Sequence, residues 1–309
     1  MTEFGESLRE ALSRLRRAGA GAPDRAGATV GANGGAPAPG AGAPAPRPVA
    51  SWLQGREIAS EAGRCFLHER RHSALEPCGE KRAQFRAVAG RREAFESARA
   101  HRDLIEAARR GLDRSFLLDL ETTGFASTPI FLAGCLVPHE EDFLLLQYFA
   151  RDYAEEKALI AAVSEALSRA DVLITFNGKS YDLPLIRDRA AMHGVRWREP
   201  DLHLDLLHHA RRRYKSTLPD CRLGTLEWAC FGRKRHKDVH GSEIPRLYHD
   251  YVRSGDFEPL LPVFHHNIFD LLTLSSLVGD LLLAEPLPAR RARAAGPPGT
   301  RIDVPASGA

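Results

Sequence analysis

Three short stretches hold residues whose types and spacing could do metal chemistry. They are Asp119-Leu120-Glu121-Thr122-Thr123-Gly124, Asn177-Gly178-Lys179-Ser180-Tyr181-Asp182, and His265-His266-Asn267-Ile268-Phe269-Asp270. The first closes an apolar run, Phe116 to Leu118, that reads as a strand. Alternate residues on a strand share a face, so Asp119 and Glu121 project together while Leu120 turns into the core. Two carboxylates forced side by side repel. A pair of divalent cations removes that penalty, and hard oxygen donors suit Mg²⁺ or Mn²⁺. The plainer alternative is a solvated strand end with two surface acids.

In the second stretch Asn177-Gly178 makes a tight turn after the apolar run Val172 to Phe176. Asp182 then falls near a helix N-terminus, where the dipole favours a carboxylate, so capping and metal binding are both open for it. Tyr181 reads as core packing more readily than as a platform for a nucleobase. In the third stretch His266 and Asp270 are four apart and share a helix face. His265 points about 140° away from Asp270 if the helix is regular, at 3.6 residues per turn. His266 is therefore the better neighbour for Asp270, unless the helix begins later than Pro262 suggests.

The elements that must position these groups follow from apolar patterning. A hairpin is expected over Arg56 to Arg71, turning near Gly63, and then a helical stretch from Arg91 to Arg110. Apolar runs at Phe116–Leu118, Ile130–Val137 and Phe143–Phe149 give three strands in series. A helix over Glu155–Arg169, a strand at Val172–Phe176, a helix over Leu183–His193 and a fifth strand at Leu202–Leu206 come next. Beyond Leu223 everything reads as helix. This order predicts an α/β fold, a mixed sheet flanked by helices, and is that of a ribonuclease H-like fold among other candidates.

The chain has 309 residues, 43% hydrophobic, with a formal net charge of +3. That supports one or two domains with a proper core. The slight basic excess permits a polyanionic partner without requiring one. Five cysteines without a CxxC pair argue against a disulfide framework and against a cysteine-only zinc site, and suggest reduced, cytoplasmic thiols. The start shows no apolar h-region and no run is long enough to cross a membrane, so neither a secretory signal nor a membrane span is expected. Residues 1–50 are expected to be a disordered Ala/Gly/Pro-rich arm with a short helix near its start, and 286–309 a similar tail. That leaves a lead-in over 51–110 and a main domain over 111–285.

Taken together and in this order, the stretches LLDLETTG, ITFNGKSYDLPLIR, EIPRLYHDYVRSGD and VFHHNIFDLLTLSSL resemble the DEDD, or DnaQ-like, 3′→5′ exonuclease superfamily. Within it they look like the YprB-type ribonuclease H-like domain. The resemblance covers just over half the chain, from about Phe116 to Leu283. It implies a two-metal site that hydrolyses phosphodiester bonds of DNA or RNA from a free 3′ end and releases nucleoside 5′-monophosphates. Asp119 would bridge two divalent cations, Mg²⁺ or Mn²⁺. Glu121 and Asp270 would complete one, and Asp182 would hold the other, partly through water. One branch of the superfamily carries Tyr four residues before the last Asp, and the other carries His five before it. This chain has His at both places, so the resemblance leaves the base open between His266 and His265.

Weaker signals surround these residues. Thr122, Thr123, Asn177 and Tyr181 are candidate substrate contacts, though the first three could equally satisfy local backbone. Two basic clusters, Arg211 to Lys215 and Arg233 to Lys237, could meet phosphates or be solvated surface. His208 and His209 suggest zinc, but no further ligand spacing supports it. Asp205 reads as an accessory at most, and Glu227 as a helix-surface acid. Two other functions remain open. One is a ribonuclease H-type endonuclease. The other is a silent nucleic-acid-binding scaffold that recruits a protein partner through the N-terminal arm.

Overall fold

The computed structural model of the chain describes residues 48–124, 128–235 and 238–288. Apart from their inner ends, the arm expected over 1–50 and the tail expected over 286–309 lie outside the described residues.

Seven strands form one mixed sheet: β1 (Gly55–Ser60), β2 (Gly63–Arg71), β3 (Ser115–Thr122), β4 (Ile130–His139), β5 (Asp142–Phe149), β6 (Val172–Thr175) and β7 (Leu202–Asp205). Their spatial order is β1-β2-β5-β4-β3-β6-β7. The pairs from β1 through β3 are antiparallel. The β3–β6 and β6–β7 pairs are parallel, and each crossover between them carries a helix. The hairpin expected over Arg56 to Arg71 is β1 and β2. It continues the sheet, with Phe66 paired to Phe149 of β5.

Nine helices are described: α1 (Gly79–Ala87), α2 (Arg92–Ser97), α3 (Arg102–Arg110), α4 (Glu156–Leu167), α5 (Asp182–His193), α6 (Leu206–Tyr214), α7 (Leu223–Phe231), α8 (Ile244–Ser254) and α9 (Leu261–Leu282). The single helix expected over Arg91 to Arg110 is broken. The chain leaves α2 through Arg99, at φ +50°. It restarts behind His101, whose Nδ1 accepts the Asp103 N–H at 3.2 Å and caps α3. Helix α1 had no clear sequence signal, because only Arg82 and Phe85 of its nine residues are buried.

Strand alternation sorts the core. Phe116 and Leu118 face one side with Ala133 and Cys135 of β4, under α4 and α5. Leu117 faces the other side with Leu136 and Leu145, under α1, α3, α6 and α9. A third cluster packs Phe131, Phe149, Tyr248, Phe257 and Phe264, and so fixes α8 and the start of α9 on β4 and β5. Each fully buried Phe of this cluster contributes about 1.5–3 kcal/mol relative to exposure. The Tyr248 ring stacks on Phe131 at 4.1 Å, and its hydroxyl donates to the Ala150 carbonyl at 2.9 Å.

All five cysteines are free thiols, three of them buried. Among the described residues no helix is long and apolar enough to cross a membrane.

Candidate metal centre

Odd-numbered residues of β3 share the face of Leu117, so Asp119 and Glu121 point toward the α9 layer while Leu120 packs on the opposite side. The β3–β4 register shifts between Glu121 and Thr122, an irregularity that ends the regular ladder just past the two acids. Strand β6 pairs with β3 only as far as Leu117–Ile174. Beyond that point the two strands leave an opening at their carboxyl ends, where open α/β sheets bind ligands.

Asp119 is fixed from the adjoining strands and from α9. Asp119 pairs with Gly134 of β4, and Gly134 with Gln147 of β5. Asn267 of α9 lies across this row. Its amide donates to Asp119 Oδ2 at 2.8 Å, and its Oδ1 accepts from Gln147 Nε2 at 2.8 Å. Gly134 leaves the room for it: a Cβ there would stand 2.0 Å from Asn267 Oδ1.

Asp182 is the first residue of α5, behind an N-cap, Tyr181, that makes no side-chain cap. Its carboxylate accepts its own N–H and also the N–H of Leu120, between the two acids of β3. Helix capping alone therefore does not account for it. The turn before it is held by Asp205, which is 1% exposed. Asp205 accepts the N–H groups of Asn177 at 2.8 Å, Lys179 at 3.1 Å and Leu207 at 3.1 Å. Asn177 sits at φ +66°, a conformation Asn tolerates better than most residues. Asp205 is thus a buried bracket for the turn, not a group at the open edge.

The carboxylates act on one another. Burial pushes Asp119 well above the usual carboxylate range, and Asp270, Glu121 and Asp182 push it further. Burial likewise lifts Glu121 to about 8, with His266 opposing and Asp270 and Asp182 adding. Asp182 is lifted to about 7 by burial, against the two N–H groups it accepts. Such a concentration of desolvated negative charge fits divalent cations, and the hard oxygen donors fit Mg²⁺ or Mn²⁺. Among the described residues, two groups of three side chains elsewhere bring ligand atoms within 4.8 Å of one another, and neither includes these four carboxylates.

Part of the reason is Arg235. Its guanidinium donates to Asp270 Oδ1 at 2.5 Å, Glu227 Oε2 at 2.6 Å and Asp238 Oδ2 at 3.2 Å. Asp270 thereby turns one oxygen toward a cation that the protein itself supplies. Glu227, expected on a helix surface, is 2% exposed beneath that guanidinium.

The two adjacent histidines separate. His266 Nδ1 bonds Asp238 at 2.8 Å, and its Nε2 stands 3.5 Å from Asp270 Oδ2. Burial lowers its pKa, but the Asp238 bond and the charges of Asp270 and Glu121 outweigh this and raise it to about 9. His265 is turned to the β2 side, where burial, His68 and Arg70 lower it to about 4.

The family model of the RNase H superfamily matches residues 116–282, more than half the chain, from within β3 to the end of α9. The chain belongs to the RNase H superfamily. The uncharacterized protein YprB of Bacillus subtilis (strain 168) is 36% identical over 171 residues, 52% of this chain. This chain spans 40% of that relative's length. The family B DNA polymerase of the hyperthermophilic archaeon Pyrobaculum calidifontis superposes over 55% of this chain and 24% of its own, with TM-score 0.44 and 13% identity. That overlap is too slight to bear on function.

Within this RNase H domain the remaining candidates divide. Thr122 Oγ1 donates to the Gly124 carbonyl at 2.7 Å, and the Thr123 N–H bonds the Pro129 carbonyl at 3.0 Å, so both serve the turn. Tyr181, read as core packing, is 67% exposed beside Asp182. Arg233 pairs with Glu76 at 2.7 Å, and Arg213 bonds the Glu285 carbonyl at 3.2 Å. His236 and Lys237 lie outside the described residues. Asn267, Gln147 and Asp238 were missed, and Arg235 was read only as part of a basic cluster open to phosphate or solvent. The available hints were an amide three residues before Asp270 and a glycine in mid-strand.

Proposed function

We propose that this nuclease-superfamily domain is a metal-dependent 3′→5′ exonuclease that hydrolyses phosphodiester bonds and releases nucleoside 5′-monophosphates. The observation that carries the reading is the convergence of four carboxylates, Asp119, Glu121, Asp182 and Asp270, with His266 Nε2 3.5 Å from Asp270. Asp119, Glu121, Asp182 and Asp270 would hold two divalent cations, Mg²⁺ or Mn²⁺. When bound, those ions would neutralise the charge that builds up on the phosphate oxygens in the transition state.

The chain's own groups do the rest. Asn267 holds the Asp119 carboxylate in one orientation, and the Asp205 bracket sets the turn that delivers Asp182. Asp238 holds His266 Nδ1, which leaves Nε2 toward Asp270 and Glu121. Negative charge keeps that imidazole protonated. Once the carboxylates are neutralised, it returns toward its ordinary range and can accept a proton from the attacking water. Tyr181, exposed beside Asp182, would stack on a terminal base.

The test is a 3′-labelled single strand, offered as matched DNA and RNA, with Mn²⁺ and purified protein. Labelled mononucleotides are expected, with no activity in Asp119→Ala although a cooperative melting transition shows that variant to be folded. Activity retained in that variant overturns the assignment. Internal cuts in a 3′-blocked strand would make the domain an endonuclease.

A further inference from the structure

His209 of α6 is 6% exposed, and its Nδ1 has no hydrogen-bond partner among the described residues. A buried polar atom left unpaired is costly, so it needs an explanation. Its neighbours supply one. The His101 ring lies edge-on to it at 5.5 Å between centroids. Asp103 completes the group, and one ligand atom from each of the three lies within 4.8 Å of the others.

We propose that His101, Asp103 and His209 form a binding site for one divalent transition-metal ion of the Zn²⁺ class, separate from the four catalytic carboxylates. Two imidazoles and one carboxylate are a donor set that suits Zn²⁺ or Fe²⁺ and leaves a coordination position open, whereas Mg²⁺ prefers oxygen donors. His101 and Asp103 come from the capped start of α3, and His209 from α6 on the same side of the sheet. The sequence could not show the site because its ligands stand 106 residues apart. With metal–ligand bonds of about 2.0–2.1 Å, tetrahedral ligands sit about 3.4 Å apart. The side chains need to close by no more than about 1.4 Å.

One cation already stands near the place. Lys179 Nζ is 3.2 Å from Asp103 Oδ2. Its side chain is 39% exposed, so it can swing into the polar cleft of about 740 Å³ that it and Asp103 line. An arriving ion would replace the ammonium at Asp103. The Lys179 backbone would stay bracketed by Asp205, three residues before Asp182. Occupancy would therefore change the charge of the cleft wall beside the catalytic turn without moving the turn itself.

The other converging trio, His72, Cys78 and Asp142, is less suited to an ion. Asp142 already accepts from Ser73 N–H at 3.1 Å, Ser73 Oγ at 2.6 Å and the Cys78 thiol at 2.9 Å. Lys81 Nζ also stands 3.5 Å from His72 Nε2.

The experiment uses full-length Asp119→Ala protein in excess Mg²⁺, which removes the carboxylate site from the measurement. It is titrated with Co²⁺ by visible absorption and with Zn²⁺ by calorimetry. One equivalent of each is expected to bind, with ligand-field bands characteristic of histidine coordination. Adding His209→Ala should weaken binding at least about 100-fold, since loss of even an outer partner of a metal ligand costs about 10–100-fold. His101→Ala, at a half-exposed position, should do the same if His209→Ala fails to fold. Absence of a Co²⁺ site, or binding unchanged in either folded histidine variant, overturns the proposal. Neither result touches the exonuclease reading, which the 3′-label assay decides on its own.

Discussion

Replacing Glu121 by Gln should stabilise the metal-free protein, and only at high pH. Glu121 is 8% exposed, with its carboxyl lifted from 4.5 to about 8 by burial and by Asp270 and Asp182. Below pH 4.5 it is protonated in both folded and unfolded chains and carries no penalty. Between pH 4.5 and 8 the unfolded chain releases a proton that the folded chain keeps, so stability falls as pH rises. Above 8 the loss is complete. A span of about 3.5 pH units at about 1.4 kcal/mol each gives about 5 kcal/mol. Asp119 and Asp182 share that penalty, and His266 loses a favourable neighbour, so the Gln variant should recover about 2–4 kcal/mol at pH 8.5. At pH 4.5 the difference should vanish. Saturating Mg²⁺ should stabilise the wild type at pH 8.5, by about 2.7 kcal/mol at a hundredfold excess over its Kd, and the variant less. Urea unfolding at both pH values, with chelator and with Mg²⁺, reads all four numbers. A Gln variant no more stable than wild type at pH 8.5 in chelator would refute the idea that this carboxyl is held against its own charge.

Other perturbations follow from the same geometry. His266→Ala should lower the rate of 3′-end cleavage by about 10²–10⁴, the usual range for a general base, and His265→Ala by less than tenfold; the reverse ranking would assign the base to His265. Gly134→Ala drives a methyl into Asn267 and should cost about 1–3 kcal/mol by overpacking, seen as a lower melting temperature, with activity falling as Asp119 loses its amide. Asp205→Ala removes the acceptor of three N–H groups, that of Leu207 buried. Amide exchange at Asn177 and Lys179 should quicken, and activity should drop through misplacement of Asp182.

How much of this was legible varies with the range of the interaction. Asp119 and Glu121 could be placed from period-two geometry alone, and the orientation of His266 relative to His265 from the helical angle. Asp182 could not be decided locally, since its partner, the Leu120 N–H, lies 62 residues away. The pairing of β2 with β5 joins Phe66 to Phe149 across the intervening helices, and no alternation pattern names a partner strand. Arg235 and Asp238 sit on a loop with no periodicity. Arg235 read only as part of a basic cluster open to phosphate or solvent, and Asp238 carried no signal, until α7 and α9 supplied Glu227 and Asp270 as partners of Arg235. Tyr181 shows the opposite failure: an aromatic next to an apolar helix face suggested core, but the turn that Asp205 sets leaves it in solvent.

The bond between Asn267 and Asp119 has a consequence in time. The two residues are 148 positions apart, and Asp270 enters the site on the same helix as Asn267. At about 5–20 residues per second, a ribosome would complete β3 some 7–30 s before α9 could dock on it. Through that interval the growing chain carries Asp119 and Glu121 without Asn267, His266 or Asp270. On the proposed exonuclease reading, competence to cut would arrive as one event, when α9 closes over the sheet.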